Sequence, residues 1–151
     1  MKLLRSSILF VAASMLINAQ EPEKPDAARV LIAMEQTEFK KKLVNAMKPL
    51  LEQRGMQVTI VKDSENELNK LKASEYDLVF ITNSGVWSKV RPWITEWIDK
   101  NRADSAKILL HTTKKLKWQE HVYVDAVSSA SSNTMAQRLA EDYVAKLVDK
   151  R

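Results

Sequence analysis

The sequence contains no cysteine. Disulfides and thiolate metal sites are therefore excluded, as is a lipid-anchored bacterial export signal, which needs a cysteine at its cleavage site. Glycine is almost as scarce, with only Gly55 and Gly85 in 151 residues. A glycine-rich loop that lets main-chain nitrogens close around a phosphate is thus missing. Histidine is limited to His111 and His121, and two histidines without a third ligand at suitable spacing make a poor metal site. Ser84 and Ser88 lack the Gly-x-Ser-x-Gly frame of a nucleophile elbow. No set of residues specifies a reaction.

What is present suits one globular domain with its own core: 45% hydrophobic and 28% charged residues. The formal charge is +5, part of it in the first residues. Lys2 and Arg5 precede an apolar stretch over 8–19, too short to span a bilayer. Residues 1–19 read as a secretory signal cleaved after Ala19, although Ile17 is not the small residue usual two positions earlier. Removing Lys2 and Arg5 leaves 22 basic against 19 acidic residues, a net of +3, too mild for a nucleic-acid partner. Residues 20–28, with Pro22 and Pro25 among charged side chains, read as a flexible leader. The domain then covers 29–149. The expected address is a periplasm or the outside, with no stable membrane insertion after cleavage.

From Arg29 the pattern alternates strand and helix. Val30 to Met34 is a continuous apolar run, as in a strand buried on both faces. Phe39, Leu43, Met47, Leu50 and Leu51 recur at helical spacing, with Pro49 expected to kink the helix and Gly55 to stop it. Residues 58–61 form a second strand. Ser64 and Glu67 read as a capping box for a helix anchored by Leu68 and Leu71. Residues 78–81 form a third strand. Pro92 opens a helix whose apolar face is Trp93, Ile94, Trp97 and Ile98. A fourth strand covers 108–110, and a fifth begins at 122–124. Ser132 or Asn133 caps a last helix with the stripe Met135, Leu139, Tyr143, Val144 and Leu147. Such alternation predicts an α/β sandwich on a mainly parallel sheet. The link between the fourth and fifth strands is short for a crossover of about a dozen residues. Either the fourth helix shrinks to a turn around Leu116 and Trp118, or the last strand pairs differently.

The stretch from Asp77 to Thr113 resembles the flavodoxin-like family. Its carriers are the third strand, the Gly85-Val86-Trp87 loop, Pro92, Trp97 and the run Lys107 to Thr113. The resemblance covers roughly residues 29–148, by pattern more than by identity. It implies a three-layer sandwich with sheet order 2-1-3-4-5, and FMN beyond the carboxyl ends of the strands at the switch point. Flavodoxins place a Thr/Ser- and Gly-rich phosphate loop after the first strand. Here the segment is Glu35-Gln36-Thr37-Glu38, with one hydroxyl between two carboxylates. At an effective dielectric of about 20, like charges 4 Å apart repel by about 4 kcal/mol, so the sign opposes a phosphate.

The crevice candidates implied by the resemblance are Thr37, Ser84, Gly85, Trp87 and Trp118. Their aromatic faces suit a planar small molecule. Trp93 and Trp97 read as core, and His111 and His121 as satisfied or exposed histidines. Asp125 reads as a turn acceptor and residues 128–132 as a serine-rich turn. The basic runs Lys40-Lys41-Lys42 and Lys114-Lys115-Lys117 read as solvated faces. The expected function is an exported, non-catalytic binding or interaction module with a degenerate FMN site and no confident cofactor. The alternative is an FMN-dependent oxidoreductase or electron-transfer protein with a divergent phosphate loop. A structural partner in an envelope assembly has only the export signal in its favour.

Overall fold

The computed structural model describes residues 27–84, 89–113 and 123–151. Five strands form one sheet: β1 (Arg29–Met34), β2 (Gln57–Lys62), β3 (Leu78–Ser84), β4 (Ile108–Thr113) and β5 (Asp125–Ser129). Their order is β2-β1-β3-β4-β5, and all four neighbouring pairs are parallel. The order in which successive strands are laid down therefore reverses between β1 and β3, and in open parallel sheets this switch point leaves a crevice at the carboxyl ends of the two strands.

Period-two alternation divides the central strands between two cores. Val30, Ile32, Leu78, Phe80 and Leu109 pack toward α1 (Glu38–Glu52) and α4 (Ala136–Val148). Leu31, Ala33, Val79, Ile81, Ile108 and Leu110 pack toward the opposite face, against α2 (Glu65–Leu68) and α3 (Pro92–Lys100). Burial of each large apolar side chain contributes about 1.5–3 kcal/mol, so the strands apolar throughout had to lie inside.

Helix ends follow local chemistry. Thr37 caps α1, its hydroxyl accepting from Lys40 N at 3.4 Å. The helix runs on through Pro49, which lies in its last turn and costs it one backbone bond. Gly55, at φ +74°, ends the turn beyond it. Gly55 N donates to Glu52 O at 2.9 Å and Met56 N to Leu51 O at 3.2 Å, the paired bonds of a Schellman closure.

Several local expectations are corrected. The Ser64–Glu67 capping box does not form: Ser64 makes no side-chain cap bond, and Glu67 pairs with Lys70 at 2.8 Å. Helix α2 ends at Leu68, with Leu71 in the following turn. Strand β5 starts at Asp125 rather than 122–124, because the register sets Asp125 opposite Leu109. Ser128 and Ser129 thus belong to that strand, and Asp125 pairs with Lys150 instead of closing a turn. A 3-10 turn over Asn133–Met135 precedes α4, so neither Ser132 nor Asn133 caps it, and Met135 is exposed. The expected signal and most of the leader, Gly85, Trp87, Trp118, His121, the second basic run and the shortened fourth helix lie outside the described residues.

Candidate functional site

At the carboxyl ends of β1 and β3 a charged network closes the crevice from within. Glu35 follows β1, with its main-chain N–H donating to Thr82 Oγ1 at 2.9 Å. Its carboxylate meets two cations. Lys40 Nζ lies 2.7 Å from Glu35 Oε2 and 2.8 Å from Ser84 Oγ. Arg91 Nη2 pairs with Glu35 Oε1, and the Ser84 hydroxyl donates to Glu35 Oε2. Asn83 positions the arginine by accepting from Arg91 N at 3.2 Å.

Lys40 is fully buried, which contradicts its assignment to a solvated basic face. It lies on the stripe of α1 that also carries Leu43, Val44, Met47 and Leu51. Helical spacing alone therefore marked it as inward-facing. A buried ammonium needs a counter-charge, and Glu35 supplies it. Burial lowers the Lys40 pKa, while the bond to Glu35 and its charge pull the other way. For Glu35, burial raises the pKa, but hydrogen bonds from Lys40 and Ser84 and the charges of Lys40 and Arg91 outweigh it, leaving a net lowering.

A second carboxylate borders the cluster. Asp63, just past β2, is 3% exposed, and its Oδ1 accepts from the Trp93 indole at 2.9 Å. Its Oδ2 has no partner among the described residues. Burial pushes its pKa up to about 6, partly offset by the Trp93 bond and by Arg91 and Lys40. The Arg91 guanidinium lies 5.2 Å from the Trp93 ring centre, a cation–π contact that joins the two carboxylates' surroundings. Trp93 packs partly buried against the core, with its indole turned to Asp63, and Trp97 is core throughout, its indole donating to Leu71 O at 3.0 Å.

Of the sequence candidates, Ser84 falls inside this network. Thr37 stands at its edge, with its hydroxyl engaged by the helix. Glu35 was visible only as an acidic neighbour of Thr37; Asp63 and Arg91 gave no signal, being single charges in unremarkable loops. His111 is a buried core histidine, with Nε2 2.9 Å from Ser129 Oγ and its ring among Phe39, Phe80 and Tyr143. Burial pushes its pKa down to about 3. No cluster of three metal-ligating side chains occurs among the described residues.

In fold, the chain is similar to oxidised flavodoxin 2 from Bacillus cereus, with a TM-score of 0.55 at 7% identity, covering 83% of this chain and 100% of that one. It is also similar to a flavodoxin from the domain Archaea, with a TM-score of 0.49 at 11% identity over 80% and 98% of the two chains. General stress protein 14 of Treponema denticola, in complex with FMN, gives a TM-score of 0.47 at 12% identity over 83% and 99%. No protein-family model and no curated protein matches the sequence. The chain has a flavodoxin-like fold, and at these identities the likeness extends to the fold alone.

Asp63 and His111 respond to acid in opposite senses. His111 is neutral in the fold and gains a proton on unfolding, so its contribution to stability is lost as pH falls from 6.5 toward about 3. Asp63 binds a proton in the fold below about 6 but only near 3.8 when unfolded, so it stabilises as pH falls between those values. Each slope is about 1.4 kcal/mol per pH unit, and the two cancel over the shared window. Asp63→Asn retains an oxygen for Trp93 and removes one slope. Its urea-unfolding free energy is expected to fall by about 1.4 kcal/mol per unit from roughly pH 6 to 4, while the parent stays nearly flat. A parent curve as steep as the variant's contradicts the assignment.

Proposed function

We propose that this protein is an exported flavodoxin-fold binding or interaction module whose crevice carries its own anion in place of a nucleotide phosphate. The observation that carries this reading is the Glu35 carboxylate, held between Lys40 and Arg91 at the head of the crevice. A phosphate seeking those cations would have to displace Glu35 or sit beside it. At a separation of about 4 Å and an effective dielectric near 20, the second choice costs about 4 kcal/mol per pair of unit charges. The connection from β1 to α1 has no glycine to let main-chain nitrogens approach an anion closely. The expected ligand is a planar small molecule or an envelope protein, and the site requires no catalytic residue.

A second reading is an FMN-dependent oxidoreductase or electron-transfer protein with a divergent phosphate site. The fold likeness to the Bacillus cereus flavodoxin favours it, and the conflict between the two is one of fold against site chemistry. We weigh the site more heavily, since one fold hosts many functions and function follows the site. The address rests on the charged, then apolar, N-terminal pattern of the sequence.

Titrating the purified domain with FMN, followed by flavin and tryptophan fluorescence, separates the two readings. We expect no saturable binding in the micromolar range, and a measurable gain in affinity on Glu35→Gln, which frees Lys40 and Arg91. Saturable micromolar binding by the parent, abolished by Trp87→Ala, establishes the flavin reading instead. For the address, mass spectrometry of protein secreted by the native cell is expected to give an N-terminus at Gln20. An intact Met1 in the cytosolic fraction alone contradicts export.

A further inference from the structure

A cavity of about 470 Å³ lies at the opposite end of the sheet from the charged crevice. Its walls are the connection from α2 into β3 and the last turn of α3 with the connection into β4, so it opens at the amino ends of β3 and β4. Two hydrogen bonds stitch these walls together, and a third fixes Asn101 against α3. Ala73 N donates to Asn101 Oδ1 at 2.8 Å, Asn101 Nδ2 to Trp97 O at 2.8 Å, and the Trp97 indole to Leu71 O at 3.0 Å. The cavity is thus framed by fixed main chain, the usual condition for a preformed small-molecule site, and its volume falls within the usual range.

Its chemistry is one-sided. Leu71 and Ala103 give it apolar surface, and the buried Trp97 borders it through its indole bond to Leu71. Lys72 and Lys100 line it, and neither has a carboxylate within ion-pair distance among the described residues; Lys100 touches only the Asn69 amide oxygen, at 3.4 Å. That contact leaves the Asn69 amide N–H groups free to donate. Asp104, the carboxylate on the rim, is neutralised by Lys107 at 2.7 Å. Donors and uncompensated positive charge therefore border an apolar floor.

We propose that this cavity binds a small organic anion with a flat apolar body, an aromatic carboxylate or sulfonate, its acid group between Lys72 and Lys100 and its ring over Leu71 and Ala103. The site is independent of the crevice and stands whether or not the crevice binds a flavin. Binding here would clamp the connections into β3 and β4 at the end of the sheet remote from Glu35.

The test is a titration of the ¹⁵N-labelled full domain with 2-naphthalenesulfonate, and in parallel with uncharged 2-naphthalenemethanol, followed by amide and indole NMR. The expected result is a saturable shift of the Trp97 indole N–H and of the Lys72, Ala73 and Asn101 amides with the sulfonate, and much weaker shifts with the alcohol. Lys72 and Lys100 are exposed, so Lys72→Glu/Lys100→Glu leaves the fold intact. It is expected to weaken sulfonate binding about tenfold or more. Lys41→Glu/Lys146→Glu makes the same change in net charge on other helices and is expected to leave binding within about twofold. Shifts that never saturate, equal binding of the alcohol, or equal weakening by both double variants would overturn the proposal.

Discussion

The crevice of this protein is organised by one requirement: the ammonium of Lys40 is buried and must be answered. Its position on the inward stripe of α1 denies it solvent, and transfer of an unpaired charge into such surroundings costs several kcal/mol. Glu35 answers it, reached from the end of β1, and in doing so draws in Ser84 from β3 and Arg91 from the segment before α3. Two stretches of chain some distance apart in sequence, Glu35 with Lys40 and Ser84 with Arg91, are thereby tied at the point where the strand order reverses. The same pairing fixes what the crevice can accept, because its strongest cations are already engaged.

A buried ion pair is weak evidence for added stability, since an apolar pair of similar volume often serves as well or better. What the Glu35–Lys40–Arg91 arrangement does provide is a resident carboxylate shared by two cations, at an edge where an α/β sheet otherwise draws in an anionic ligand. Asp63 adds a second carboxylate that is ionised only above about pH 6, so the cluster is neutral in weak base and carries a positive excess in weak acid. Fold and site thus point in different directions. The architecture is flavodoxin-like, whereas the cations at the head of the crevice already hold a carboxylate of the chain itself.

The parallel pairing and the two-faced burial were legible because they depend on long apolar runs and on strand–helix alternation, which survive sequence divergence, whereas the sheet order came only with the family resemblance of the stretch from Asp77 to Thr113. Gly55 and Pro92 were equally legible, as their backbone chemistry admits few roles. The start of β5 was not: Tyr123 and Val124 have strand-forming side chains, but they form a bend and pairing with β4 begins only at Asp125. Ser64 failed as a box partner because Glu67 found Lys70 first. At the site, composition misled. Lys40 sits in a run of three lysines that looks solvated, although its spacing to Leu43, Val44 and Met47 placed it inside. Asp63 and Arg91 acquire meaning only once distant segments are brought together. Trp93 packs on the core as its spacing suggests, but its indole bond to Asp63 was not legible in the sequence.

The account stands on the coupling between Lys40 and Glu35, and a double-mutant cycle measures it directly. Unfolding free energies are needed for Lys40→Met, Glu35→Gln and the double variant. Each single change is expected to cost about 2–4 kcal/mol, because it strands the surviving charge. The double variant is expected to cost less than the sum by more than about 1 kcal/mol. Single costs within about 0.5 kcal/mol of zero that simply add, the behaviour of a solvated lysine, would contradict a buried pair at the head of the crevice.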